Sequence, residues 1–81
     1  MIEEELLTNM TEGINSVPCP LCGGHHRVNL SLNPIHAFAQ SSADWIFGPE
    51  GDKIFVEIED GACEGFRERL ARFVSANVFG L

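Results

Sequence analysis

Positive charge is scarce in this chain: five Lys and Arg residues stand against twelve Asp and Glu, for a formal net charge of −7. Proteins that grip nucleic acid set Lys and Arg against phosphates, and so few cations in so negative a field make a poor footprint for that role. Long apolar runs are missing too, and no stretch approaches the roughly 20 residues that a membrane-spanning helix requires. The chain opens Met-Ile-Glu-Glu-Glu, with no cationic segment leading into an apolar one, so no secretory signal is expected. Cysteine is limited to three residues, an odd number. Together these absences predict a cytoplasmic protein with reduced thiols.

What remains is small but not disordered. The 81 residues include 44% hydrophobic side chains, enough for a core and for one domain over 1–81. A domain of this length buries only about 60 to 65% of the surface its unfolded chain exposes, so its stability margin is thin and a structural metal is a common remedy.

The segment 17–26 reads Val-Pro-Cys-Pro-Leu-Cys-Gly-Gly-His-His, and folding alone explains its composition poorly. Cys19 and Cys22 have the spacing that lets two thiolates converge on one tetrahedral ion. Glycine after the second cysteine tolerates the positive φ that turns backbone N–H groups toward the sulfurs. Cys63 supplies a third thiol and His25 or His26 a fourth ligand, with His26 favoured because its slightly longer reach clears Gly23 and Gly24. The expected set is therefore Cys19, Cys22, His26 and Cys63 around a structural Zn2+, although the residue types alone do not separate zinc from iron. His36 is expected on the surface or in a helix, away from the ion.

Periodicity places the elements around this knuckle. Ile2, Leu6, Met10 and Leu7 recur at helical spacing over residues 2–12, with Glu3, Glu4 and Glu5 in the first turn and Gly13 as a stop. Val28, Leu30 and Leu32 alternate with polar residues as in a half-buried strand. Asn33-Pro34 ends that strand and can open a short helix over 35–42, with Ile35, Phe38 and Ala39 inward. Residues 44–47 and 53–59 flank Gly48-Pro49-Glu50-Gly51-Asp52 as a hairpin, with Ile54, Val56 and Ile58 on one side and Lys53, Phe55, Glu57 and Glu59 on the more polar one. Phe66, Leu70, Phe73, Val74 and Asn77 mark a C-terminal helix, weakened at its first turn by Gly65.

Parity links the crossover to the metal. Were 34–43 an extended return strand, Cys63 would arrive at the end of the sheet opposite Cys19 and Cys22. A helical crossover reverses that outcome and brings Cys63 beside the knuckle. The expected fold is α+β: a short N-terminal helix, a zinc knuckle, a sheet of about three strands and a C-terminal helix packed on it.

Other chemistries fit less well. A thiol–disulfide centre wants its first thiol at a helix N-terminus, and two glycines after Cys22 are a poor start for such a helix. A zinc deaminase shares Pro-Cys-x-x-Cys but needs a His-x-Glu upstream, and no histidine precedes Cys19. Trp45, Phe47 and Phe55 could offer a stacking platform for bases, but aromatic residues in a hairpin more often pack against a helix. Arg67, Arg69 and Arg72 alternate with Glu64 and Glu68 as on a solvated, self-paired face.

The Cys19-Pro20-Leu21-Cys22-Gly23-Gly24 string resembles the first knuckle of zinc-ribbon and treble-clef domains and, among short chains, the Lar-type restriction-alleviation proteins of phages and prophages. Where that pattern supplies a second Cys-x-x-Cys pair, this chain offers Cys63 and histidines. The resemblance implies a small non-enzymatic protein of a mobile element that modulates a host nucleic-acid-handling or defence enzyme. The expected function is thus an acidic, non-catalytic, zinc-binding interaction module with a protein partner. The alternatives are a zinc-ribbon nucleic-acid binder and a thiol oxidoreductase.

Overall fold

Alternating apolar residues and one irregular crossover decide the architecture. The computed structural model describes residues 2–61 and 63–81. In chain order it forms α1 (Glu4–Asn15), β1 (Val28–Ser31), β2 (Ser41–Phe47), β3 (Lys53–Glu59) and α2 (Glu64–Val74), and a π-helical turn follows at Ser75–Phe79. The fold class is α+β, as expected.

β3 lies in the middle of the sheet, in the order β1-β3-β2, and pairs antiparallel with both neighbours. Val28 faces Ile58 and Leu30 faces Val56 on one side, while Trp45 faces Phe55 and Ile46 faces Ile54 on the other. Ile54, Val56 and Ile58 join Val28 and Leu30 in a core with Leu7 from α1 and Phe66, Leu70 and Val74 from α2. Both helices therefore cover the same face of the sheet.

α1 differs from expectation at both faces and at its end. Leu7 is the fully buried residue, whereas Leu6 is 39% exposed. The helix runs through Gly13, because a glycine costs a helix only about 1 kcal/mol, which burial of the apolar face outweighs. Its close comes at Ser16, whose N–H donates to the carbonyls of Glu12 and Gly13 at 3.1 and 3.3 Å.

The expected helix over 35–42 does not form. Residues 32–40 are irregular, Ile35 and Ala39 are exposed, and Ser41 and Ser42 already belong to β2. The physical reason lies in the backbone donors: the Ala37 N–H donates to the Glu57 carboxylate at 2.6 Å instead of to a carbonyl four residues back. The crossover nevertheless returns the chain to the knuckle end, since both outer strands run antiparallel to β3 and so parallel to each other. Strand parity requires a return of any conformation, and Cys63 arrives beside Cys19.

That crossover also covers the second face of β3, where Phe55 is 4% and Glu57 0% exposed. The expected polar face is thus a second, smaller interior. Trp45 stacks edge-on against Phe55 at 5.2 Å, and His36 does so from the crossover at 5.3 Å. The aromatics of the hairpin pack under an irregular segment rather than against a helix, and Phe47 stays 65% exposed.

Among the described residues, no helix is long and apolar enough to cross a membrane.

Candidate metal centre

The knuckle segment is tied at both ends before any ion is considered. Asn15, the last residue of α1, acts as a surrogate strand for Val28: its Oδ1 accepts from the Val28 N–H at 2.9 Å and its Nδ2 donates to the Val28 carbonyl at 3.1 Å. Thr11 adds a second tie, its Oγ1 accepting from the Leu30 N–H at 3.3 Å. The loop from 16 to 27 therefore leaves and rejoins the core at neighbouring points.

Inside that loop the backbone folds back on Cys19. The Gly23 N–H donates to the Cys19 carbonyl at 2.8 Å, and the Cys19 N–H to the Gly24 carbonyl at 2.7 Å. The Leu21 N–H points at Cys19 Sγ at 3.4 Å. Gly23 sits at φ 77°, the left-handed conformation expected after the second cysteine. The knuckle is docked onto α2 through Leu21, whose Cδ1 occupies the space where a Cβ on Gly65 would fall, 2.6 Å away. Gly65 is thus present because Leu21 crosses the helix there, a reason its helix propensity alone does not reveal.

Four side chains converge at this point. The Sγ atoms of Cys19, Cys22 and Cys63 and a ring nitrogen of His26 all lie within 4.8 Å of one another. Cys19 Sγ is 3.8 Å from Cys63 Sγ, and Cys22 Sγ is 3.1 Å from His26 Nε2. A tetrahedron with Zn–S bonds of about 2.3 Å has sulfur–sulfur edges of about 3.8 Å and sulfur–nitrogen edges of about 3.5 Å. The four donors could therefore hold a tetrahedral metal, and three thiolates with an imidazole suit zinc or iron rather than calcium or magnesium. These are the four residues expected from the sequence. His25 and His36 lie outside the group.

Each of the four donors is positioned differently. Cys19 is 3% exposed and belongs to the core, Cys22 is at the surface, and Cys63 is the N-cap residue of α2, where the helix dipole favours a thiolate. The His26 ring meets the Phe66 ring edge-on at 4.8 Å, which fixes its plane. Desolvation pushes the Cys19 thiol up, but hydrogen bonds from the Leu21 and Cys22 amides and from the other two thiols outweigh it and hold Cys19 below the ordinary thiol range. Cys63 moves the opposite way, raised by burial and by the neighbouring Cys19 charge. The two thiols thus shift apart, Cys19 downward and Cys63 upward, as expected for closely spaced like charges.

A second polar cluster, not among the expected sites, lies on the other face of the sheet. Glu57, fully buried, accepts from the Ala37 N–H at 2.6 Å, from Ser41 Oγ at 2.5 Å and faces His36 Nδ1 at 3.4 Å. Burial raises its pKa, but these donors and the Phe38 amide outweigh burial, so its carboxyl lies below the ordinary range. Ser41 Oγ and His36 Nδ1 both meet the same carboxylate oxygen, Oε2, while the Ala37 N–H meets Oε1. The cluster anchors the crossover to β3. A hint was present in the run Ile54-Phe55-Val56-Glu57-Ile58, which is too apolar for a strand with one wet face.

No protein-family model, curated protein or solved structure matches the chain. The functional reading therefore starts from the geometry of the Cys₃His cluster.

Proposed function

We propose that this chain is a non-catalytic zinc-binding interaction protein, in which Cys19, Cys22, His26 and Cys63 hold one structural Zn2+. The observation that carries this reading is the convergence of four donors, drawn from the knuckle and from the start of α2, within 4.8 Å. Four protein ligands leave a tetrahedral ion no open position for substrate, which favours a structural over a catalytic role. Thiolate ligation closes a loop from Cys19 to Cys63 and fastens the knuckle to α2, adding the cross-link that so small a core lacks.

The partner in this reading is a protein, met by the acidic surface. A net charge of −7 supports that choice over direct nucleic-acid binding. The resemblance of the knuckle to Lar-type proteins extends the proposal to a modulator of a nucleic-acid-handling or defence enzyme.

Native mass spectrometry of the purified chain tests the metal. The expected result is one zinc per chain, lost on chelation or denaturation; a folded, metal-free species that takes up no zinc when it is supplied contradicts the proposal. A complex formed by the acidic surface weakens steeply as salt is added, and one indifferent to ionic strength contradicts that part.

A further inference from the structure

Neither the metal cluster nor the Glu57 anchor accounts for the groove between α1 and α2. It encloses about 560 Å3, with Asn9, Met10 and Gly13 on one wall, Phe66, Arg69 and Phe73 on the other, and the prolines of the knuckle at one end. Apolar side chains stand open along it: Val17 is 56% exposed and Phe73 46%, with Met10 and Ile14 half-buried beside them. Scattered exposed apolar residues are ordinary, but several on one cleft mark an interaction surface.

The charge around the groove says what fits it. Glu5 lies four residues before Asn9 and Glu12 three after, so all three share one stripe of α1 beside the groove. Both glutamates are exposed, and α1 contains no Lys or Arg. The chain's own cations lie elsewhere than on that stripe: Arg69 stands on the opposite, α2 wall, Arg27 pairs with Glu59, Arg72 with Glu68, and Lys53 lies over Trp45. A second copy is a poor occupant, because each chain carries a net charge of −7 and the two repel.

We propose that this groove is the docking site for an amphipathic helix of a partner protein. Its apolar face enters between α1 and α2, and Lys or Arg at two positions seven residues apart run along the α1 side. The spacing follows from Glu5 and Glu12, which are separated by two helical turns, about 10 Å. Helices laid into apolar grooves are a common recognition mode, with anchors at helical spacing. This inference rests on the interaction reading above and names the partner's chemistry and its place of contact.

The test titrates the zinc-loaded full chain into a fluorescently labelled amphipathic helical peptide of Leu, Ala and Lys, with the same peptide carrying Glu for Lys as comparison. The Lys peptide is expected to bind at least about tenfold more tightly than the Glu peptide. Phe73→Glu, and separately Val17→Glu in the loop, should each weaken binding about tenfold or more, and Glu5→Lys with Glu12→Lys should weaken it and flatten its salt dependence. Ile35→Glu, on the far side of the sheet, should change nothing. Equal binding of the two peptides, absence of binding, or full binding by both groove variants overturns the proposal. So does a concentration-dependent dimer in sedimentation that the groove variants abolish, since the groove would then belong to a second copy. Zinc stoichiometry measured on the same sample separates failure of this proposal from failure of the metal reading.

Discussion

Cys19 Sγ and Cys63 Sγ, forty-four residues apart in sequence, lie 3.8 Å apart in space. The distance is close to the sulfur–sulfur edge of a zinc tetrahedron, about 3.8 Å. Cys63→Ser should therefore lower zinc affinity on the order of a hundredfold, and His26→Ala should lower it as well, whereas His25→Ala should leave it unchanged. Competition with a chromophoric chelator reads all three. A loss on removing His25 but not His26 would exchange their roles.

Metal and fold should be linked. At a free zinc concentration of 100 times its Kd, binding to the folded state alone contributes about 2.7 kcal/mol, which in a domain of this size is about 10 to 20 °C of melting temperature. The expected result is a melting transition that falls by that amount on chelation and returns when zinc is restored. A transition that does not move would mean that the core holds the knuckle in place without an ion.

Glu57 predicts a pH dependence of opposite origin. Its folded-state pKa is depressed, so its contribution is complete above the unfolded value of about 4.3 and is lost as pH falls through the folded pKa. Glu57→Gln removes the charged acceptor of Ser41 and the Ala37 amide and should cost about 2 to 3 kcal/mol at neutral pH. The gap between native and variant stability, measured by denaturant unfolding, should narrow steadily as the solution is acidified below about pH 4. A gap that is constant with pH would show that the carboxylate's charge is not what holds the crossover.

Gly48 marks a close approach between the hairpin and the C-terminal turn. A Cβ there would lie 2.6 Å from two atoms of the Phe79 ring. Gly48→Ala should destabilise by about 1 to 3 kcal/mol, and Phe79→Leu in the same chain should recover part of the loss. Additive losses in the double variant would remove Phe79 as the cause.

The elements set by periodicity were legible without coordinates, as was the convergence of Cys19, Cys22, His26 and Cys63, because knuckle spacing and strand parity are local rules that the fold then obeys. The crossover was not. Asn33-Pro34 can end a strand or open a helix with equal local sense, and the choice is made by Glu57, twenty residues from the Ala37 amide it accepts. Glu57 itself was misread because alternation assigns a glutamate to the wet face. That rule holds only for a strand with one covered side, and β3 is central and covered on both. Gly65 and Asn15 were opaque for the same reason, since each answers to a residue distant in sequence, Leu21 and Val28.

X-ray absorption at the zinc edge of the purified, zinc-loaded chain reads the donor set around the ion. The expected result is a four-coordinate ion with three sulfurs at about 2.3 Å and one nitrogen at about 2.0 Å. A shell of oxygen and nitrogen alone, or one with two sulfurs, would contradict it, because Cys63 would then not reach the ion that Cys19 and Cys22 hold.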